Sequence, residues 1–458
     1  MQYEETIVSE KKLPELVNVQ ENYFNDIKSK KIKPAKLSES ISAFANASGG
    51  DIYVGIDEDT RTGCRQWNGF TNVEEANSVI QMLESLAPLS NYYSVCYLQH
   101  PVLKTYVMQI TILKTNDIIY ATNKIAYVRK NAQKLPMDTQ EKLDRLKLDK
   151  GIIQFENELV RESSIDDVED SEAFQLFSDN VVPNIDKEKW LQKQRLYKEG
   201  HLTVAGSLLF MDEPQIVLPK RSAIKIYRYK TSEQADRDYL DGTPLTVEGS
   251  AYNQIYAAIA KSKEIIESIR KLDKKFENVE YPEETLHEII TNAVLHRDYS
   301  IATDIQIRIY DNRVEIESPG KLPGSVTVKN ILDAQSARNP KLVRIINKFP
   351  EAPNKDVGEG LNTAFKAMKR LRLKEPYIIE NESSVLVVIK HEKLASPEEM
   401  VMDYLETHEE IKNKEGRNLT GIKSENMMKN VFKRLKKAGL LERVPGKFGP
   451  ASAWRKVK

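Results

Sequence analysis

At 458 residues the chain has room for three or four domains, each with an ample core. Lysine plus arginine equals aspartate plus glutamate, 68 each, so global charge argues for no nucleic-acid partner and any such argument must be local. Two cysteines, Cys64 and Cys96, exclude a disulfide framework and a zinc knuckle and fit a reducing compartment. The opening MQYEETIVSE has neither a basic region nor an apolar run, and no later stretch approaches a membrane span. The expectation is a soluble, cytoplasmic protein with no membrane partner.

Residues 1–140 read as one α+β unit. Glu21 to Lys28 precedes a basic run with Lys30, Lys31 and Lys33. A helix is predicted from Ala35, with Leu37, Ile41 and Phe44 inward, and it stops at Asn46 and Gly49-Gly50. Asp51 to Asp57 alternates as a strand into an acidic turn, and further strands are predicted at 92–98, 105–113 and 124–129. The stretch from Ile41 to Asp59, with Glu21, Asp26 and Lys28 before it and Tyr127-Val128-Arg129 after, resembles the Schlafen-type (AlbA-like) domain. The resemblance implies nucleic-acid binding, and in some members RNA cleavage by three acidic residues. By position these are Glu21, Asp26 and Asp57, with Lys28 beside them and Glu58 competing for the third place. Clustered carboxylates of this kind hold divalent ions that activate water; the same residues serve equally as surface acids of a binding domain. Lys30, Lys31 and Lys33 suit phosphate contact or a solvated surface. Where members usually continue Gly-Ser-rich, Lys130-Asn131-Ala132-Gln133 stands here.

Residues 141–198 are charged, with a helix opening at Gln140 and an acidic run from Glu156 to Glu172, and read as a soluble helical connector. A small-to-apolar helix follows at Leu202–Phe210, a strand at Ala223–Tyr227, and a long helix over 246–272. At Pro282 a further helix starts, with Glu283 and Glu284 at its positive end. Leu286, Ile289, Ile290, Ala293 and Val294 face the core, whereas Glu284, Glu288, Asn292 and His296 step four at a time along the opposite ridge. A solvated helix face shows the same pattern. The context gives it a chemical use, because a hairpin over 305–316 and two glycine loops follow, at Pro319-Gly320 and Asp356 to Gly360. Asn292 suits magnesium on a triphosphate, Glu288 suits orientation or deprotonation of water, and the glycines let backbone amides approach phosphate.

Glu288 to Asn292, His296-Arg297-Asp298-Tyr299, Ser318-Pro319-Gly320, Arg338-Asn339-Pro340, and Gly358 with Gly360 together resemble the GHKL (Bergerat-fold) ATPases. The nearest branch is the divergent one known by similarity to a helicase C-terminal region, and the likeness spans roughly 199–380. It implies ATP and magnesium (or manganese in its place), with Glu288 catalytic, Asn292 on the metal, and His296, Ser318, Gly320, Arg338, Gly358 and Gly360 around the nucleotide. It also implies a homodimer. Ser318 departs from the pattern, since many members carry an Asp there to read the adenine amino group. Residues 325–350 are expected to form a lid of two short helices around Ser336 to Pro340.

Over 396–458, helices at Met400–Leu405 and Met427–Leu441, a short helix after Leu419-Thr420 and a wing around Gly446 give winged helix-turn-helix order. Lys429, Lys433, Arg434, Lys436 and Lys437 make the third helix basic, which suits DNA.

The reading is therefore α+β and multidomain. A Schlafen-type domain (1–140) precedes a charged connector (141–198), a GHKL α/β-sandwich ATPase (199–395) and a winged helix-turn-helix (396–458). The expected function is ATP-dependent action on DNA or RNA. Within it, a metal-dependent nuclease under ATPase control, in bacterial stress or phage defence by resemblance, stands beside the alternative of a non-catalytic, nucleotide-responsive transcription regulator.

Overall fold

Five strands order as Glu4–Ile7, Tyr93–Gln99, Tyr106–Ile112, Gly50–Val54 and Asn25–Lys28 in the N-terminal sheet, the two outer pairs parallel and the inner pairs antiparallel. The computed structural model describes residues 4–59, 61–183, 186–218, 222–269, 281–353, 360–371, 373–390, 397–420, 422, 424–447, 449 and 452–457. Helix Pro34–Ala45 begins on a proline, whose fixed φ suits a first helical turn. It packs Leu37, Ile41 and Phe44 onto Ile52, Val54, Met108 and Ile110. Gly50 makes that junction possible. With φ at +150°, a side chain there would start 2.4 Å from the Phe24 carbonyl and 2.6 Å from the Phe44 ring.

A second sheet carries six strands in the order Leu245–Val247, Ile224–Arg228, Ile305–Ile309, Arg313–Pro319, Ser384–Lys390 and Tyr377–Glu380. Ile224 to Arg228 pairs parallel with Ile305 to Ile309, and helices Ala251–Ser268 and Glu283–Leu295 lie in the crossover between them. Alternating isoleucines, Ile305, Ile307 and Ile309, are buried, as the period of two requires. The predicted hairpin closes at Asp311-Asn312, where the Tyr310 amide donates to the Arg313 carbonyl at 2.8 Å.

The charged segment 141–198 carries helices and packs aromatic side chains. Helices Gln140–Asp149, Glu172–Val181 and Lys187–Lys193 lie within it. Phe174 and Phe177, one turn apart, meet Trp190, Phe210 and Phe349 with ring centroids 4.9 to 5.1 Å apart in the tightest pairs. Glu156 is buried as well. Its two oxygens accept the Lys341 and Leu342 amides, both at 2.9 Å, which satisfies the first turn of helix Pro340–Ile346. Residues 328–333 are turns rather than the first lid helix, because the Asn330 side chain takes the Thr327 amide and donates to the Ser325 carbonyl.

Met1–Phe365 with Pro376–Ile389 forms one compact unit, and Lys366–Glu375 with Lys390–Lys458 forms another. In the latter, helices Pro397–Thr407, Asn413–Thr420 and Glu425–Lys437 pack against a sheet of order Ile411–Lys412, Ala453–Lys456 and Leu441–Arg443. Met428, Val431, Phe432 and Leu435 form the buried stripe of the third helix. Leu419-Thr420 ends the middle helix rather than leading into it, and the Thr420 hydroxyl donates back to the Gly416 carbonyl at 2.7 Å.

Candidate functional site

Helix Glu283–Leu295 forms one wall of a cavity of about 430 Å³, faced by strands of the second sheet and by residues 318–337. Glu288, Asn292, His296, Ser318 and Gly320 all line it. The Asn292 amide nitrogen donates to Glu288 Oε1 at 2.7 Å, one turn back, which leaves the amide oxygen without a partner among the described residues. Burial raises the Glu288 carboxyl above the usual range, against that hydrogen bond. His296 shows only part of its ring to the cavity. Burial, with the Arg338 guanidinium nearby, pushes it down to about 4, so it stands neutral, and its Nδ1 has no partner among the described residues.

Ser318 donates its hydroxyl proton to the Ala293 carbonyl at 2.7 Å. What remains for the cavity is a lone-pair acceptor, and an adenine amino group is a donor. Gly320, at φ +106°, passes so close to Asp298 that a side chain would begin 2.6 Å from its Cβ. Its role in the geometry is this close approach. Gly360 opens helix Gly360–Arg370; Gly358, with Asp356 and Glu359, lies outside the described residues.

Arg338 does not line the cavity. It is buried, donating to the Leu148 carbonyl at 3.0 Å and the Lys321 carbonyl at 2.7 Å, with Asp298 at 3.4 Å. Asp298 also accepts from Arg145 and from the Ser300 amide and hydroxyl. Burial works against its charge, but Arg338 and Arg145 outweigh it and hold Asp298 below the usual range. Asn339 donates to the Leu295 and Arg297 carbonyls at 2.9 and 2.8 Å. Asp298, Arg338 and Asn339 thus brace the cavity rather than line it, while His296 beside them does line it.

The expected acidic triad assembles only in part. Lys28 Nζ lies 2.7 Å from Asp26 and 3.6 Å from Glu21. Asp26, 3% exposed, also faces Arg129 at 3.5 Å. Arg129 donates to the Asn22 and Asn25 carbonyls and lies over the Phe44 ring, so it staples the chain that carries Asp26. Asp57 belongs to a different group: Asn68 donates to it at 2.5 Å. Burial opposes its charge, yet hydrogen bonds from Ser29 and Asn68, then Lys31 and Lys30, keep it below the ordinary range. Among the described residues, no three His, Cys, Asp or Glu side chains gather in a way that would hold a metal ion. Glu58 pairs with Arg65 instead.

Lys30 donates to the Gly69 carbonyl at 2.9 Å, while Lys31 and Lys33 are exposed. On the C-terminal basic helix, Lys429 pairs with Glu425 and Arg434 with Glu398, whereas Lys433, Lys436 and Lys437 are exposed. Lys321, in the same stretch as Ser318 and Gly320, lines the cavity as well. Sequence reasoning missed Lys114, whose ammonium reaches the Leu322 and Val326 carbonyls of the lining loop, and no local pattern marks it.

Residues 21–138 match the family described as Schlafen, AlbA_2, and residues 302–389 match the family described as putative ATP-dependent DNA helicase recG C-terminal. The chain therefore carries a Schlafen-type domain and a GHKL-like domain of the helicase-C-terminal type. The crystal structure of the DIP2311 protein from Corynebacterium diphtheriae is similar at 18% identity, over 94% of this chain and 92% of that one, with a TM-score of 0.42. No curated protein matches the chain significantly. No described helix is long and apolar enough to cross a membrane.

Proposed function

We propose that the chain is an ATP-dependent nucleic-acid-binding protein, with magnesium ATP bound at the Asn292 cavity. The observation that carries this is the Glu288–Asn292 pair, one helical turn apart on the cavity wall, with the Asn292 oxygen open to an oxygen-preferring cation. Ser318 supports adenine, since it offers an acceptor where the resemblance expects a carboxylate. A bound magnesium would neutralise phosphate charge there. Glu288, kept basic by burial, is suited to take a proton from attacking water, and His296 to stay uncharged beside the ligand.

For the nucleic acid, we read 397–457 as a winged helix whose third helix presents Lys433, Lys436 and Lys437 to phosphate or the major groove. Binding is favoured over cleavage in the Schlafen-type domain, because Asp26 is already matched by Lys28 and Arg129 and Asp57 is held by Asn68. This is the nucleotide-responsive regulator rather than the nuclease. A homodimer, implied by the resemblance, belongs to the same reading.

Calorimetry with magnesium ATP tests the site. Asn292→Ala is expected to abolish binding, and Glu288→Gln to keep binding while phosphate release falls about 100-fold or more. Equal ATP affinity for the wild type and Asn292→Ala overturns the assignment.

A further inference from the structure

Phe24, Leu113, Leu135, Val328 and Ile379 are large apolar side chains left exposed, and all five open onto one cleft. It lies between the N-terminal sheet and the outer strand of the second sheet, and its volume is about 1080 Å³ against 430 Å³ for the nucleotide cavity. Apolar exposure concentrated in one concavity marks a binding surface more often than chance scatter does.

The charge in this cleft leans positive once its internal pairs are taken out. Asp51 accepts from Gln109 and Thr111, Glu380 accepts from the Leu322 amide and Ser48, and Glu382 pairs with Lys130. Lys130 thereby offsets Glu382 and Lys114, 3.9 Å away, offsets Glu380, while Asp51 keeps its charge against neutral donors. Lys321 and Lys329 remain, with no carboxylate against them among the described residues. Lys329 sits over the Phe24 ring at 5.9 Å, and Tyr23 meets that ring edge-on at 5.0 Å. A half-exposed aromatic ring packed against a neighbour, with one lysine beside it and another in the same cleft, is an arrangement suited to stacking a base and neutralising its phosphates.

We propose that this cleft binds single-stranded nucleic acid, a base stacking on Phe24 and the backbone running past Lys321 and Lys329. The proposal rests on the nucleic-acid reading above and assigns it a surface distinct from the C-terminal basic helix. Duplex is disfavoured, since paired bases keep their faces stacked on each other and offer none to Phe24. Lys321 and Ile378 line both this cleft and the nucleotide cavity, so the two share a wall.

The test is fluorescence anisotropy of the full chain with a labelled oligothymidylate of about ten nucleotides and with duplex of equal length. Phe24→Ala and Lys329→Glu are compared with a triple Lys433→Glu, Lys436→Glu, Lys437→Glu variant, thermal unfolding confirming that each is folded. The cleft variants are expected to lose about tenfold or more in affinity for the single strand and little for duplex. A second readout depends on no variant: photo-crosslinking of a bromodeoxyuridine oligomer to the wild type, expected on the peptide carrying Tyr23 and Phe24. Single-strand binding that the cleft variants leave unchanged, with crosslinks elsewhere, overturns the cleft and leaves the general reading standing. Failure of the wild type to bind either nucleic acid overturns both.

Discussion

Lys114 of the N-terminal domain donates its ammonium to the carbonyl of Leu322 at 2.7 Å, and Leu322 lines the Asn292 cavity. A second bond reaches Val326 at 2.9 Å, and Glu380 stands 3.9 Å away. The loop at the mouth of the cavity is thus held from another domain. Lys114→Met would leave both carbonyls buried without a donor, at a cost of about 1–3 kcal/mol each if they stay dry. Magnesium ATP affinity is expected to fall about tenfold, read by calorimetry, while Glu288 and Asn292 stay untouched.

Lys150 gives a signature in pH. It is buried, donating to the Thr115 carbonyl at 2.7 Å, and burial followed by repulsion from Lys114 pushes it down to about 7. Unfolded, it keeps its proton to about 10.4. Between those values the unfolded chain binds more protons, so folding gains stability as pH rises from about 7 toward 10. Urea unfolding at several pH values is expected to show this rise in the wild type and a flatter profile in Lys150→Met.

The Asp298 brace makes a prediction about stability. Asp298 and Arg338 are both nearly fully buried, and removing Arg338 leaves Asp298 with Arg145 as its one remaining counter-charge and the Leu148 and Lys321 carbonyls without their donor. Arg338→Met is expected to destabilise by about 3–5 kcal/mol, the range for a broken buried pair. Thermal unfolding checks this, and Lys321→Met, changed at the cavity itself, is expected to fall well short of it.

Duplex binding should depend on the basic helix. Reversing Lys433, Lys436 and Lys437 is expected to reduce the slope of log affinity against log salt by about 2 to 3, close to one per lost phosphate contact. An unchanged slope across a salt titration would exclude this helix from the duplex interface.

Much of this architecture was legible in the residues. Spacing placed helix Glu283–Leu295 and its polar ridge, because a period near four and a proline start are local signals. The alternation at Ile305 to Ile309 gave the strand beside it for the same reason. What local pattern does not carry is partnership across distance. Arg129 reaches Asp26 from more than a hundred residues away, so the carboxylate read as a metal ligand is already engaged. Arg338 looked like a phosphate contact because arginine serves both roles, and only the fold brings it to Asp298. The acidic run at 156–172 concealed Phe174 and Phe177, whose spacing of three signalled a buried face that the charge masked. Of the two expected lid helices the first is absent, because Asn330 competes for the backbone it would need, while the second stands at Pro340–Ile346.

The clasp of Glu156 on the Lys341 and Leu342 amides bears on how the chain can be divided. A fragment begun at 199 would hold every residue that lines the nucleotide cavity, yet its helix Pro340–Ile346 would start with two amides facing nothing. It would also lack Arg145, leaving Asp298 with one fewer counter-charge. A cut before Gln140 keeps Glu156 and Arg145 but still takes Lys114 from the Leu322 and Val326 carbonyls and leaves Lys150 without its Thr115 acceptor, so the cavity draws on the chain on both sides of that point.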